Sequence, residues 1–225
     1  MQKTFIISLG GSLIVPDKID AVFLNKFKVL IEKYSKKGFK FVIICGGGKL
    51  ARNLQAAASK VIKLSNEELD WIGIHATKLN ASLLRHLFGK NVHDAIISNP
   101  NDKIKTKKSI IIASGWLPGW STDFDAVLLA KNFKISNVVN MSNVDYVYDK
   151  DPRKFRNAKK IEHMKWDDMS KLIGTKWKAG MNAPFDPIAA KKAKQLKIKA
   201  NIIGKDLKNL ENLLNNRKFR GTVIE

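Results

Sequence analysis

Short apolar runs recur along this chain, and the segments between them place apolar residues three and four positions apart. Thr4-Phe5-Ile6-Ile7-Ser8-Leu9 and Phe41-Val42-Ile43-Ile44-Cys45 are too short for helices and too continuously apolar for loops, so they read as buried strands. Ile96-Ile97, Ser109-Ile110-Ile111-Ile112-Ala113, Asn137 to Met141, Ala200 to Ile203 and Gly221-Thr222-Val223-Ile224 extend the set of predicted strands. Between the first two strands, Ile19, Phe23, Phe27, Leu30, Ile31 and Tyr34 share one helical face, and Lys36-Lys37-Gly38 ends that helix. The pattern predicts a helix from Lys49 to Lys60 and another opened by the capping box Ser65-Asn66-Glu67-Glu68, with Leu69, Ile72, Ala76, Leu79, Leu83 and Leu87 as its buried stripe. Further helices are predicted over Asp123 to Ala130, capped by Ser121 or Thr122, and over Asp167 to Leu172, Asp186 to Leu196 and Leu207 to Asn215. The alternation has no internal repeat or linker, which predicts one three-layer αβα sandwich domain across residues 1–225 with a mainly parallel central sheet.

Composition narrows the class. With 225 residues and 44% hydrophobic content the chain can bury a sizeable core. It has no apolar stretch near the ~20 residues of a membrane span, and its first residues lack the order of a signal peptide, so a cytoplasmic protein is expected. The single cysteine, Cys45, ends an apolar strand and reads as a buried structural thiol. A net charge of +21 admits nucleic-acid binding, attraction of anionic nucleotides, or simply a lysine-rich solvated surface. Because the lysines are scattered, as in Lys36-Lys37, Lys107-Lys108 and Lys191-Lys192, with no interleaved aromatic platform, a dedicated nucleic-acid interface is not favoured.

The candidate chemistry begins where strands end. Gly46-Gly47-Gly48-Lys49-Leu50-Ala51-Arg52 follows the second strand, and combines bare backbone amides, a helix start and two cations, which is what a phosphate group requires. Gly10-Gly11-Ser12 repeats the strand-to-glycine pattern after the first strand. In an open α/β sheet two such turns can face one another across one crevice, which suits two phosphorylated ligands. Trp116 and Trp120 lie among glycines and Pro118 in the loop Ser114 to Asp123, where a base, a subunit contact or the protein's own core are all candidates to cover them. Ser142 to Pro152 is polar, turn-rich and carries several aspartates, fit for a ribose or a Mg²⁺ but also ordinary for a loop.

Taken together, Gly10-Gly11-Ser12, Gly46-Gly47-Gly48-Lys49-Leu50-Ala51-Arg52, Asp70-Trp71-Ile72-Gly73-Ile74, Asn80-Ala81, Pro118-Gly119-Trp120-Ser121-Thr122-Asp123, Asn143-Val144-Asp145-Tyr146-Val147-Tyr148, Asp151-Pro152, Asp186-Pro187-Ile188-Ala189-Ala190 and Gly221-Thr222 resemble the amino-acid kinase superfamily, most of all the archaeal-type UMP kinases. The resemblance implies transfer of a phosphoryl group from ATP, with Mg²⁺ bound alongside it, to UMP. It implies that Ser8, Leu9, Gly10, Gly11, Ser12, Gly47, Arg52, Ser142, Asn143, Tyr148 and Asp151 bind ATP. It likewise implies that Gly46, Asp70, Trp116, Leu117, Pro118, Gly119, Trp120, Ser121 and Thr122 bind UMP, and that Arg52, which reaches the transferring group, and Asp123, which organises the cationic residues, are catalytic. A homo-oligomer, a hexamer by family resemblance, is also implied.

The chain departs from the family pattern at five positions. Ser8 stands where many relatives carry a lysine, and Lys49 is the candidate to supply the missing charge as a third catalytic residue, with Lys178 a further one. Trp116, Leu117 and Trp120 are bulkier than the usual loop residues, and Tyr146 replaces a glycine. Beside the UMP kinase reading stand an amino-acid-kinase-fold protein with another anionic acceptor or a nucleotide-dependent storage role, and a non-catalytic basic nucleotide- or RNA-binding module.

Overall fold

The structure, a computed structural model, describes residues 3–152, 154–176 and 183–225, so Lys178 lies outside the described residues. The first half runs β1 (Thr4–Leu9), α1 (Gly11–Ile14), α2 (Ala21–Lys36), β2 (Lys40–Cys45), α3 (Gly48–Val61), α4 (Asn66–Phe88), β3 (Ile110–Ala113), α5 (Thr122–Asn132) and β4 (Asn137–Met141). The second continues with β5 (Val147–Tyr148), β6 (Lys160–Ile161), β7 (His163–Met164), α6 (Trp166–Ile173), α7 (Pro187–Leu196), β8 (Lys199–Ile203), α8 (Leu207–Leu214) and β9 (Thr222–Ile224). Seven strands form one sheet in the order β3-β2-β1-β4-β8-β9-β7, parallel at every pairing except β8 with β9. The chain therefore builds outward from β1 to β3, then returns to place β4 on the other side of β1. That reversal opens a crevice at the carboxyl ends of β1 and β4, where ligands gather in such sheets.

The strands are continuously apolar because helices cover both faces of the sheet. Ile7, Leu9, Phe41, Ile43 and Ile112 pack with Phe27, Ile31 and Leu84 of α2 and α4, whereas Ile6, Val42, Ile44 and Ile111 pack with Ala126, Val127 and Leu129 of α5. Each fully buried isoleucine or phenylalanine contributes roughly 1.5–3 kcal/mol of burial free energy. Helix starts are fixed locally. Asp20, Ser65, Ser121, Asp186 and Asp206 each cap a following helix through a side-chain oxygen, and the Ser65–Glu68 capping box is complete. No helix of the described residues is long and apolar enough to cross a membrane.

Three local expectations change. The inward face of α4 carries Asp70, Ile74, Thr77, Asn80, Ala81, Leu84 and Phe88. Of the predicted stripe Ala76 is buried, Leu83 and Leu87 pack half-buried against the core, and Leu79 is 60% exposed. The reason is chemical: Asp70, Thr77 and Asn80 are turned inward to bond loop backbone, which moves the centre of the buried face off the predicted stripe. Ile96-Ile97 forms no strand, only an isolated parallel bridge from Ile97 to Ala113. The polar Ser142 to Pro152 segment contains β5, which pairs antiparallel with β6 in a small second sheet.

Candidate active site

The two glycine turns are in backbone contact. Gly10 N–H donates to Met141 O at 2.8 Å and Gly46 N–H to Leu9 O at 2.9 Å, so each turn continues the ladder of the neighbouring strand. A β-carbon on Gly11 would fall 2.0 Å from Gly48 N and 2.6 Å from the Gly46 carbonyl carbon, a space only glycine leaves open. Gly48 also takes φ +63°, the left-handed region that glycine enters without steric cost, as α3 begins. Asn80, 3% exposed, secures the turn from α4: its Nδ2 donates to Gly46 O at 2.8 Å and to Gly47 O at 3.2 Å.

Two cavities open on either side of this junction. The larger, about 710 Å³, lies over the β1/β4 switch point and is lined by Ser8, Gly10, Gly11, Ser12, Gly46 and Asp123, then by Asn140, Ser142, Asn143, Tyr146, Tyr148 and Asp151. The smaller, about 170 Å³, is lined by Gly47, Gly48, Arg52, Asp70 and Thr77 and by Trp116, Leu117, Trp120 and Asp125. Ser121 and Thr122 line both, so the start of α5 is the wall through which the two spaces meet.

Of the residues implied for ATP most line the larger cavity, and of those implied for UMP most line the smaller, with several exceptions. Gly46 lines the larger cavity and Gly47 the smaller, the reverse of the sides the resemblance implied, because the chain passes through the dividing wall between them. Arg52 lines the smaller cavity rather than the larger, one turn into α3 and exposed at its edge. Leu9 is fully buried and Pro118 lines neither space. Gly119 is also outside both linings, but its N–H donates to Asp70 Oδ2 at 2.8 Å and draws the loop across α4. Lys49 does not line either cavity: its ammonium pairs with Asp17 on the connection from α1 to α2. The structure thus does not bring Lys49 to the position vacated by the lysine absent at Ser8. Tyr146, in place of the family's glycine, is not among the described non-glycine residues with positive φ, so its backbone requires no glycine there.

Three carboxylates gather under the junction. Asp123 Oδ1 accepts from Ser8 Oγ at 3.0 Å and from Asn140 Nδ2 at 2.8 Å, tying α5 to β1 and β4. It is half-buried with its open surface facing the larger cavity, and desolvation there, aided by the nearby Asp186 charge, pushes its carboxyl up to about 7. Asp125 is 1% exposed, and burial likewise raises it to about 7. Asp186 caps α7 through Oδ1 and accepts Ser121 N–H on Oδ2 at 2.6 Å. The Cys45 thiol is fully buried and shifted upward by that burial, in keeping with a structural role. Sequence reasoning missed Thr77, Asn140 and Asp125. Thr77 Oγ1 accepts Gly115 N–H at 2.8 Å, and its signal was a polar residue on what becomes the inward face of α4.

Among the described residues no cluster of three or more His, Cys, Asp or Glu side chains is arranged to hold a metal ion. Asp123 with the hydroxyls of Ser8, Ser12 and Thr122 lines the larger cavity, a donor set that fits a magnesium ion carried mainly by substrate phosphates, the usual habit of that ion.

A parallel sheet with touching glycine turns at its switch point and paired cavities defines a class, and residues 3–204 match it: the chain belongs to the amino acid kinase family. Over its full length it is 33% identical to a protein named uridylate kinase from Thermoplasma volcanium, covering 99% of that protein. It is 34% identical to one of the same name from Thermococcus kodakarensis, over 98% of each chain. The crystal structure of uridylate kinase from Archaeoglobus fulgidus superposes with a TM-score of 0.83 at 28% identity, covering 100% of both chains. UMP kinase from Ureaplasma parvum, at 21% identity and a TM-score of 0.78 over 100% of this chain and 99% of its own, shares the fold.

Proposed function

We propose that this protein is a UMP kinase, transferring the γ-phosphoryl group of ATP to UMP to give ADP and UDP. The observation that carries the reading is the paired arrangement of cavities: a large space over the β1/β4 switch point meets a smaller one at Ser121 and Thr122, with the triple glycine between them. The full-length identity of 33–34% to proteins named uridylate kinase supports UMP as the acceptor. In this reading the larger cavity takes ATP, with Gly10, Gly11 and Ser12 against its phosphates and Asn143, Tyr148 and Asp151 toward its nucleoside. The smaller takes UMP, with Asp70 toward the sugar and the loop Trp116 to Thr122 around the nucleotide.

The chemistry follows from that arrangement. A UMP phosphate oxygen attacks the γ-phosphorus in line, its bond to the bridging oxygen breaks, and the electron pair leaves with ADP. The attacking oxygen is already anionic and needs no general base. Catalysis then rests on holding two anions in line and on fixed positive potential, which the amides at the start of α3 and the Arg52 guanidinium supply. Asp123, anchored by Ser8 and Asn140, organises the floor of the donor side. Magnesium, when bound with the nucleotide, neutralises charge on the β- and γ-phosphates.

The test is ADP release measured with UMP, CMP, other small phosphate acceptors and no acceptor. Turnover stimulated by UMP above all others is the expected result. Stimulation by a smaller anion alone would instead favour a different acceptor, a reading that the 170 Å³ size of the second cavity keeps in view. Light scattering of the purified protein checks the homo-oligomer that belongs to the same reading.

A further inference from the structure

The loop that walls the smaller cavity is held by a residue outside the expected site. Asp125, in the first turn of α5, uses both carboxylate oxygens: Oδ1 accepts Trp120 Nε1–H at 3.0 Å and Oδ2 accepts Trp116 N–H at 3.2 Å. The Trp120 ring also meets two other rings at tilted angles, 6.1 Å from the Trp116 centroid and 4.8 Å from that of Phe124. An indole usually finds a partner for its N–H when buried, but here the partner is a carboxylate only 1% exposed, which is costly to desolvate unless its bonds are used. The pair is therefore a rigid bracket rather than an incidental contact. Its position matters because Trp120 and Asp125 both line a space of about 170 Å³, below the ~300 Å³ at the low end of ordinary ligand pockets.

We propose that Asp125 is a positioning residue that latches the Trp120 indole as a fixed wall of the acceptor pocket, and that this wall sets selectivity for a single-ring over a double-ring nucleobase. The inference rests on the reading of the smaller cavity as the acceptor site. A fixed indole leaves room for a pyrimidine beside it and closes the space that a purine needs. If the indole were free to swing, the pocket would admit either base and hold neither in place.

Kinetics with UMP, CMP, AMP and GMP on the wild type, Asp125→Asn, Trp120→Phe and the double variant test it. Asp125→Asn keeps the side-chain shape but turns one acceptor into a donor, and Trp120→Phe removes the indole N–H. Each single variant is expected to raise KM for UMP about tenfold and to lower the pyrimidine-over-purine ratio of kcat/KM about tenfold. Their kcat for UMP and KM for ATP should stay within about twofold, and the double variant should fall well short of the product of the two single effects, since both act on the same latched indole. The indole Nε1–H resonance of Trp120, read by nitrogen-15 labelling in the folded proteins, should move upfield in Asp125→Asn without any substrate present. Unchanged KM and base preference in folded variants, or fully additive effects, would overturn the latch alone. A wild type that does not phosphorylate UMP would overturn the acceptor-site reading and the latch with it.

Discussion

Gly11 and Gly48 lie main chain against main chain: a β-carbon on the first would sit 2.0 Å from the amide nitrogen of the second, and one on the second 2.1 Å from the carbonyl oxygen of the first. This contact is what turns two separate strand-to-helix turns into one junction. It also leaves the junction no room for a side chain at either glycine.

Replacing Gly11 with alanine should therefore separate the turns and misplace both ligands. A displacement of about 1 Å at reacting groups costs on the order of 100-fold in rate, so kcat/KM in the ADP-release assay should fall at least that far. Gly38→Ala is the control. Gly38 also has positive φ, +85°, but has open space around its β-position. It should lose about 1 kcal/mol of stability in denaturant melts with activity retained.

Arg52 and Lys49 should differ sharply. Arg52→Ala removes the cation that lines the smaller cavity, and the loss of one such group from a transition state is about 10²–10³-fold in kcat. Arg52→Lys should restore little, because a bidentate grip on phosphoryl oxygens is lost. Lys49→Ala breaks a pair with the exposed Asp17, so kcat should stay within about threefold. A large drop in kcat for Lys49→Ala would revive its role as the substitute for the lysine absent at Ser8.

Asn80 offers a test of the scaffold behind the glycines. Asn80→Ala leaves the Gly46 and Gly47 carbonyls without their side-chain donor in a buried setting, at a cost of about 1–3 kcal/mol. Urea denaturation should report that loss. Because the triple glycine borders both cavities, KM for ATP and KM for UMP should rise together, unlike the acceptor-only effect expected of Asp125→Asn.

Stability should carry a pH signature of the Asp123 and Asp125 carboxylates. Asp123 and Asp125 titrate near 7 in the folded protein against 3.8 ordinarily, so the folded state keeps protons that the unfolded chain has released. Their contribution to stability is full below about 3.8, declines as pH rises, and is gone above about 7. Glu211 has the opposite sign, since bonds from Lys33 and Lys208 hold its carboxyl down to about 2, and its contribution is lost as pH falls toward that value. Thermal midpoints measured from pH 4 to pH 8 should fall with rising pH in the wild type, less steeply in Asp123→Asn and Asp125→Asn, and both variants should exceed the wild type at pH 8.

Much of this site was legible in residue order. β1 spans Thr4–Leu9 as its apolar run predicts, Ser65 and Glu68 form the capping box that their spacing announces, and Ser121 caps α5. These features depend on a few neighbouring residues, and local chemistry is enough to decide them. The leucine stripe of α4 misled because the helix spends its inner face on Asp70, Thr77 and Asn80, whose partners Gly119, Gly115 and Gly46 lie far away in sequence. Asp125 gave no signal of its own, since an acidic residue in a first helical turn is ordinary.

The sequence by itself determined the strand and helix alternation, the two glycine turns and the kinase-like order of motifs, because hydrophobic period and backbone freedom are properties of short segments. Only the tertiary structure decided which cation stands where and which glycine faces which cavity. Lys49 and Arg52 are three residues apart on one helix, yet the fold turns Lys49 to Asp17 and leaves Arg52 at the smaller cavity. It likewise decided that Trp116 and Trp120 wall a pocket rather than join the core, because that outcome depends on a carboxylate one turn into α5 meeting their N–H groups across a loop. Such meetings are set by how the β1/β4 switch point packs the layers around it, and no local pattern encodes that packing.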